Sequence, residues 1–126
     1  NNYYIDLSNG STSINCAGQI VSSGDVVAFS DRRLKDDIKN IPDALDKVLS
    51  INGVTFTRND ADDRTTRYTG VIAQEVETVL PEAVTTTDNG MKAVSYGNMV
   101  GLLIEALKEQ QLQIDELKLE VKSLKG

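Results

Sequence analysis

Apolar residues recur at spacings of three and four along the last part of the chain, residues 97–125. The members of this series are Leu103, Leu107, Gln110, Ile114, Leu117, Val121 and Leu124. With Leu107, Ile114 and Val121 at a positions and the other four at d positions, the series is a coiled-coil heptad repeat. Glu120 at g and Lys125 at the following e position are complementary between parallel helices. The pattern predicts a long helix that associates with other copies, the alternative being a helix that packs on its own domain.

Before this helix, residues 41–57 predict a short helix followed by a strand. Pro42 stands near the helix start, and Leu45, Val48 and Leu49 share one face, which we expect to point inward. Asn52 and Gly53 end the helix, and residues 54–57 alternate between apolar and polar side chains as a strand does.

Residues 67–94 predict a second strand, a helix and a hairpin. The strand covers residues 67–72, and a helix follows from Gln74 to Leu80 with Val76, Val79 and Leu80 inward. Pro81 stops this helix. Residues 83–94 then form a hairpin whose turn is marked by Asn89-Gly90. The acidic loop over residues 59–63 is expected to be solvated, because it lacks the glycine and the final glutamate of a calcium loop.

The N-terminal residues 1–29 predict short strands and turns with little material for a core. Ile14, Cys16 and Ile20 alternate with polar residues, and Val26 to Phe29 form an apolar run suited to a strand. Turn signals lie at residues 8–10 and 22–24. Two interpretations are open: a flexible arm, or a segment whose core is shared among several chains.

Composition narrows the possible chemistry. The net charge of −6 argues against a nucleic-acid-binding face, which needs clustered Lys and Arg. The chain has no His, which excludes Ser-His-Asp catalysis within one chain, and its single Cys forms no disulfide framework. No metal set, cofactor motif, membrane span or signal peptide is apparent. Because the chain starts at Asn, we expect it to be a piece of something longer.

The junction at residues 30–38 holds a serine and a lysine five residues apart, Ser30 and Lys35. A neutral lysine can accept the proton of a serine hydroxyl, and burial or a nearby positive charge such as Arg32 or Arg33 favours the neutral amine. On a strand or a helix, i and i+5 point apart, so the two side chains meet only if the segment turns sharply. The alternative is a charged linker whose serine caps the following turn.

Three stretches in this order, residues 30–38, 70–84 and 94–108, resemble the intramolecular chaperone auto-processing domains of phage tailspikes, tail fibres and neck appendages. The resemblance implies an autocatalytic serine peptidase in which Ser30 and Lys35 form a dyad that cuts between Ser30 and Asp31. It also implies a homotrimer that assists folding of its own upstream stalk, with the stalk in the virion and the fragment released in the host cytoplasm. No cofactor, nucleic acid or membrane takes part.

The expected fold class is α+β, in three parts. Residues 1–30 are the end of a β-rich fibre stalk, 31–96 an α+β chaperone body and 97–126 the coiled-coil helix. The heptads alone, with β-branched residues at a and Leu at d, favour a dimer, whereas the resemblance implies a trimer. Whether the serine attacks the preceding carbonyl or acts on its own C-terminal bond stays open. Two other functions remain: a non-catalytic oligomerisation module, and the equivalent self-cleaving module of a trimeric membrane-tethered transcription factor.

Overall fold

The computed structural model describes residues 14–126. The chain divides into two compact units, one ending at Ile38 and the other running from Lys39 to Gly126. In the first unit no strand forms between residues 14 and 29, so the strands predicted there are absent from the isolated chain. The run from Val26 to Phe29 is exposed. The turn predicted at 22–24 is present, with Ser22 Oγ accepting from the Gly24 N–H at 3.2 Å, whereas that at 8–10 lies outside the described residues.

The second unit confirms the predicted α+β class. Its elements are α1 (Ala44–Leu49), β1 (Val54–Thr57), β2 (Arg67–Gly70), α2 (Ala73–Val79), β3 (Val84–Thr86), β4 (Lys92–Val94) and α3 (Met99–Lys125). Strands β1 and β2 form one antiparallel pair and β3 and β4 another. The Asn89-Gly90 turn is confirmed: Gly90 adopts a φ of 84°, and the Thr87 N–H donates to the Met91 carbonyl across the loop at 2.8 Å.

The core of this unit is small and aliphatic. Its buried members are Ala44, Val76, Leu80, Ala83, Met99, Leu102 and Ala106. The inward face predicted for α2 is confirmed, since Val76 and Leu80 are buried and Val79 packs against them. In α1 the prediction is wrong for Leu49, which is 75% exposed. Ala44 and Val48 meet α3 instead, and Leu49 lies about 100° further round the helix.

The 27 residues of α3 use only their first turns to contact the body. Met99, Leu102 and Ala106 supply the buried face, at spacings of three and four. The heptad seam lies on a neighbouring face, about 60° away by helix geometry. Every seam residue is exposed, and residues 110–125 contact no part of the body that buries them. Packing of α3 on its own domain therefore leaves the seam available. Across residues 14–126, the helices all fall short of what a membrane crossing requires.

Candidate functional site

A single tight turn separates Ser30 from Lys35 in the first unit. Arg32 to Leu34 form one turn of 3-10 helix, closed by hydrogen bonds from the Leu34 N–H to the Asp31 carbonyl at 3.0 Å and from the Lys35 N–H to the Arg32 carbonyl at 3.1 Å. Asp31 and Lys35, which flank the turn, both have extended backbone. The chain therefore reverses between the two residues that the sequence pairs, and the sharp turn that the spacing requires is confirmed.

The turn brings the two side chains into direct contact. Lys35 Nζ donates a hydrogen bond to Ser30 Oγ at 2.6 Å. A nucleophile and its base must lie within about 2.6–3.2 Å of each other for proton transfer, and this pair meets that condition within one chain. Both residues are exposed to solvent in the isolated chain. The two side chains that the sequence pairs are thus in contact, and both remain accessible to solvent.

Asp31, which follows Ser30 directly, is held by Arg33. The Arg33 guanidinium donates to Asp31 through Nε at 3.0 Å and Nη2 at 2.8 Å, and the Arg33 backbone N–H donates to Asp31 Oδ1 at 2.8 Å. These hydrogen bonds, the side-chain ones first, lower the pKa of Asp31 below its ordinary value of 3.8. The ion pair was not predicted from the sequence, because Arg33 was considered only as a positive charge near Lys35. The signal was an Asp two residues before an Arg at the start of a turn.

The turn also carries exposed apolar side chains. Phe29 is 96% exposed and Leu34 is 68% exposed. With Asp31 and Arg33 they line an open hollow of about 400 Å³. Large apolar side chains exposed beside a reactive pair are a surface that a further chain segment would cover favourably.

The carboxylates of α2 are structural. Glu75 Oε1 accepts from the backbone N–H and from Nδ2 of Asn52, both at 3.0 Å. Glu77 forms an ion pair with Lys92 of β4 at 2.9 Å. The two glutamates thus point to different partners and form no acid–base pair. No group of three His, Cys, Asp or Glu side chains within residues 14–126 is placed to hold a metal ion.

The chain is similar in sequence to several phage tail fibre proteins. It is 35% identical over 104 residues to the long tail fiber protein Gp37 of Enterobacteria phage K3, covering 78% of this chain and 8% of that protein. It is 34% identical over 116 residues to Gp37 of Salmonella phage S16, covering 86% of this chain and 16% of that protein. The Gp37 of Enterobacteria phage M1 is 37% identical over 101 residues, 75% of this chain and 40% of that protein. The chain thus spans less than half the length of these relatives.

A family model described as chaperone of endosialidase matches residues 30–85. The match begins at Ser30 and includes the turn, α1, β1, β2 and α2. It thus contains the first two of the three stretches that carry the resemblance. Residues 30–85 of this chain are thus similar to the chaperone of endosialidase family.

Proposed function

We propose that this chain is the C-terminal chaperone of a phage tail fibre or tailspike, and that it removes itself by cutting the bond between Ser30 and Asp31. The observation that carries the proposal is the 2.6 Å hydrogen bond between Lys35 Nζ and Ser30 Oγ. A serine hydroxyl and a lysine amine at this distance are within reach of proton transfer. The family match and the Gp37 relatives support the chaperone role and the tail location.

In the cutting reaction Lys35 acts as the general base. Its amine, once neutral, accepts the proton of Ser30 Oγ, since only the unprotonated form has a free electron pair. Attack of Oγ on the Ser30 carbonyl carbon would close a strained four-membered ring. A water molecule reaches the same carbon without that strain: the Ser30 alkoxide takes a proton from this water as it attacks, and the Lys35 ammonium gives its proton to the departing nitrogen of Asp31. Hydrolysis consumes this water and yields the carboxylate of Ser30 and the amino group of Asp31.

Assembly is the second half of the proposed function. The exposed seam of α3 brings copies of the chain together in parallel, which aligns the upstream chains at one end. Residues 1–30 are the end of the stalk, 31–96 the chaperone body and 97–126 the coiled coil. The apolar run from Val26 to Phe29, exposed in one chain, then finds its partners in the other copies. We assign three copies, following the family. The stalk goes to the virion, and the released fragment stays in the host cytoplasm.

Gel electrophoresis and N-terminal sequencing of the expressed chain test the cleavage. We expect a fragment that begins at Asp31, and no fragment from the Ser30→Ala variant. A fragment that begins at Ser30 would show that the hydroxyl attacks the preceding carbonyl instead. If the wild-type chain stays intact and sediments as an oligomer, the chain is an oligomerisation module without catalysis.

A further inference from the structure

An apolar groove opens where the body meets the first turns of α3. Its volume is about 300 Å³. Val48, Ile51, Val71 and Tyr96 of the body and Met99 and Leu103 of α3 line it. Leu103 is at the same time a d residue of the heptad seam, and Met99 takes the g position beside it. The groove is therefore continuous with the surface proposed to join the copies.

The g and e positions of α3 are chemically matched for a parallel arrangement. In a parallel coiled coil, a g residue lies near the e residue five positions further along the neighbouring helix. The pairs are Met99 with Ile104, Ala106 with Gln111, Gln113 with Lys118, and Glu120 with Lys125. The pair next to the body is apolar and the pair at the tip is an acid with a base. An antiparallel arrangement would bring e positions together and so separate Met99 from Ile104 and Glu120 from Lys125.

Ile104 is a large apolar side chain that the described residues of its own chain leave half-exposed. It is 52% exposed, at an e position that usually carries a charged or polar residue. Its g partner Met99 is almost fully buried and forms part of the groove wall. A parallel neighbour would therefore carry its Ile104 to the mouth of the groove.

We propose that the groove is the docking site for Ile104 of a neighbouring copy, an inference that rests on the parallel assembly proposed above. Each copy inserts its Ile104 into one neighbour and receives another in its own groove, so the contacts close into a ring. The contact fixes each body against the helix of the next copy. The seam alone would hold only the helices together.

The first test compares Ile104→Gln with Leu112→Gln in the full chain. Leu112 is a matched control, because it is also exposed (60%) but takes the outward f position. We expect Ile104→Gln to lower the association constant about tenfold per interface in sedimentation equilibrium, and Leu112→Gln to leave it unchanged. Equal association of both variants and the wild type would overturn the proposal. A wild-type chain that is monomeric would instead overturn the parallel assembly itself.

The second test locates the contact directly. In a Cys16→Ser background, a tagged chain with Gly53→Cys, at the groove rim, is refolded with a chain carrying Ile104→Cys. A cysteine fits at Gly53, where an added Cβ meets no atom within 4 Å. A short bismaleimide should join the two different chains, and should fail when Leu112→Cys replaces Ile104→Cys. Mixed oligomers without the 53–104 product would refute docking in the groove while leaving the seam intact.

Discussion

Glu109 of α3 accepts a hydrogen bond of 2.7 Å from the backbone N–H of Leu45 in α1. The first N–H groups of a helix have no partner within the helix, and a residue before the helix usually supplies one. Asp43, the residue before α1, makes no such bond from its side chain. The long helix therefore caps the short one, and the carboxylate is well placed at the positive end of α1.

Replacing Glu109 should accordingly weaken the body. We expect Glu109→Ala to lower the free energy of unfolding by about 1 kcal/mol, the usual cost of losing a helix cap. Urea denaturation measures this loss. Glu116→Ala is the matched control, because it removes the same charge one heptad further, where α3 has left the body. An equal loss in both variants would show that the effect comes from the charge of α3 and not from the cap.

Gly70 and Tyr96 form a second contact that joins distant parts of the body. Tyr96 Oη accepts from the Val71 N–H at 3.3 Å, and a Cβ added to Gly70 would overlap that hydroxyl oxygen. We expect Gly70→Ala to lower the free energy of unfolding by about 1–3 kcal/mol, because the ring must move and its hydrogen bond is lost. Thermal unfolding of Gly70→Ala, Tyr96→Phe and the double variant checks this. If Gly70→Ala destabilises the Tyr96→Phe variant as much as it destabilises the wild type, overlap with the tyrosine hydroxyl is not the cause of the loss.

Much of the body follows from local signals in the sequence. The turn at Asn89-Gly90 and the inward face of α2 depend on residues close in the chain, and both are confirmed. The exposure of Leu49 does not follow from local signals, because the position of α3 decides which face of α1 is buried. The cap from Glu109 joins residues 64 positions apart, and no local pattern announces it.

The candidate site shows the same division. The spacing of Ser30 and Lys35 requires a turn, and the structure has one. The pairing of Arg33 with Asp31 was missed, since charge alone does not say which neighbour an arginine prefers. The strands predicted between residues 14 and 29 do not form in one chain. Strands of this kind would have to pair with strands of other copies, and the sequence of one chain does not show how those copies are arranged.

The hydrogen bonds from Arg33 make the titration of Asp31 a probe of the turn. These hydrogen bonds lower the pKa of Asp31 below 3.8, so the ionised carboxylate stabilises the turn at pH values above 3.8. This stabilisation is lost as the pH falls through the lowered pKa. We expect carboxyl-carbon NMR on Ser30→Ala to show a pKa below 3.8, and Arg33→Gln to raise it part of the way towards the ordinary value, because the backbone N–H of residue 33 still donates to Asp31. Arg32→Gln is the control and should leave the pKa low. If the pKa of Asp31 is the same with and without Arg33→Gln, the ion pair between Asp31 and Arg33 does not form in solution.

Lys35→Arg separates proton transfer from charge at the junction. The arginine keeps the positive charge and a donor for Ser30 Oγ, but its guanidinium stays protonated and accepts no proton. We expect this variant to remain uncut over many hours while its oligomeric state, measured by sedimentation, is unchanged. Lys39→Arg, a few residues further along the chain, serves as the control and should be cut at the wild-type rate. A normal rate for Lys35→Arg would exclude Lys35 as the base.

Cleavage should also depend on assembly, through the surroundings of Lys35. Only a neutral amine accepts the serine proton, burial favours the neutral form, and one chain leaves both Ser30 and Lys35 exposed. Neighbouring copies would cover the hollow beside Phe29 and Leu34 and so exclude water from the pair. A dependence of this kind would prevent the chaperone from leaving before the stalk has assembled.

The variant Leu117→Asp tests this dependence, because it places charges together in the seam while leaving the junction untouched. We expect a soluble monomer in sedimentation that stays uncut at neutral pH, whereas Leu119→Asp, at an outward f position, should assemble and cut. Following the monomer over pH of about 6–10 then separates two ways in which assembly can act. Recovery of cutting at high pH means that assembly works by deprotonating Lys35, since hydroxide does the same in the monomer. No cutting at any pH means that neighbouring copies hold the reactive shape of the turn, and normal cutting at neutral pH would show that the reaction needs no neighbour.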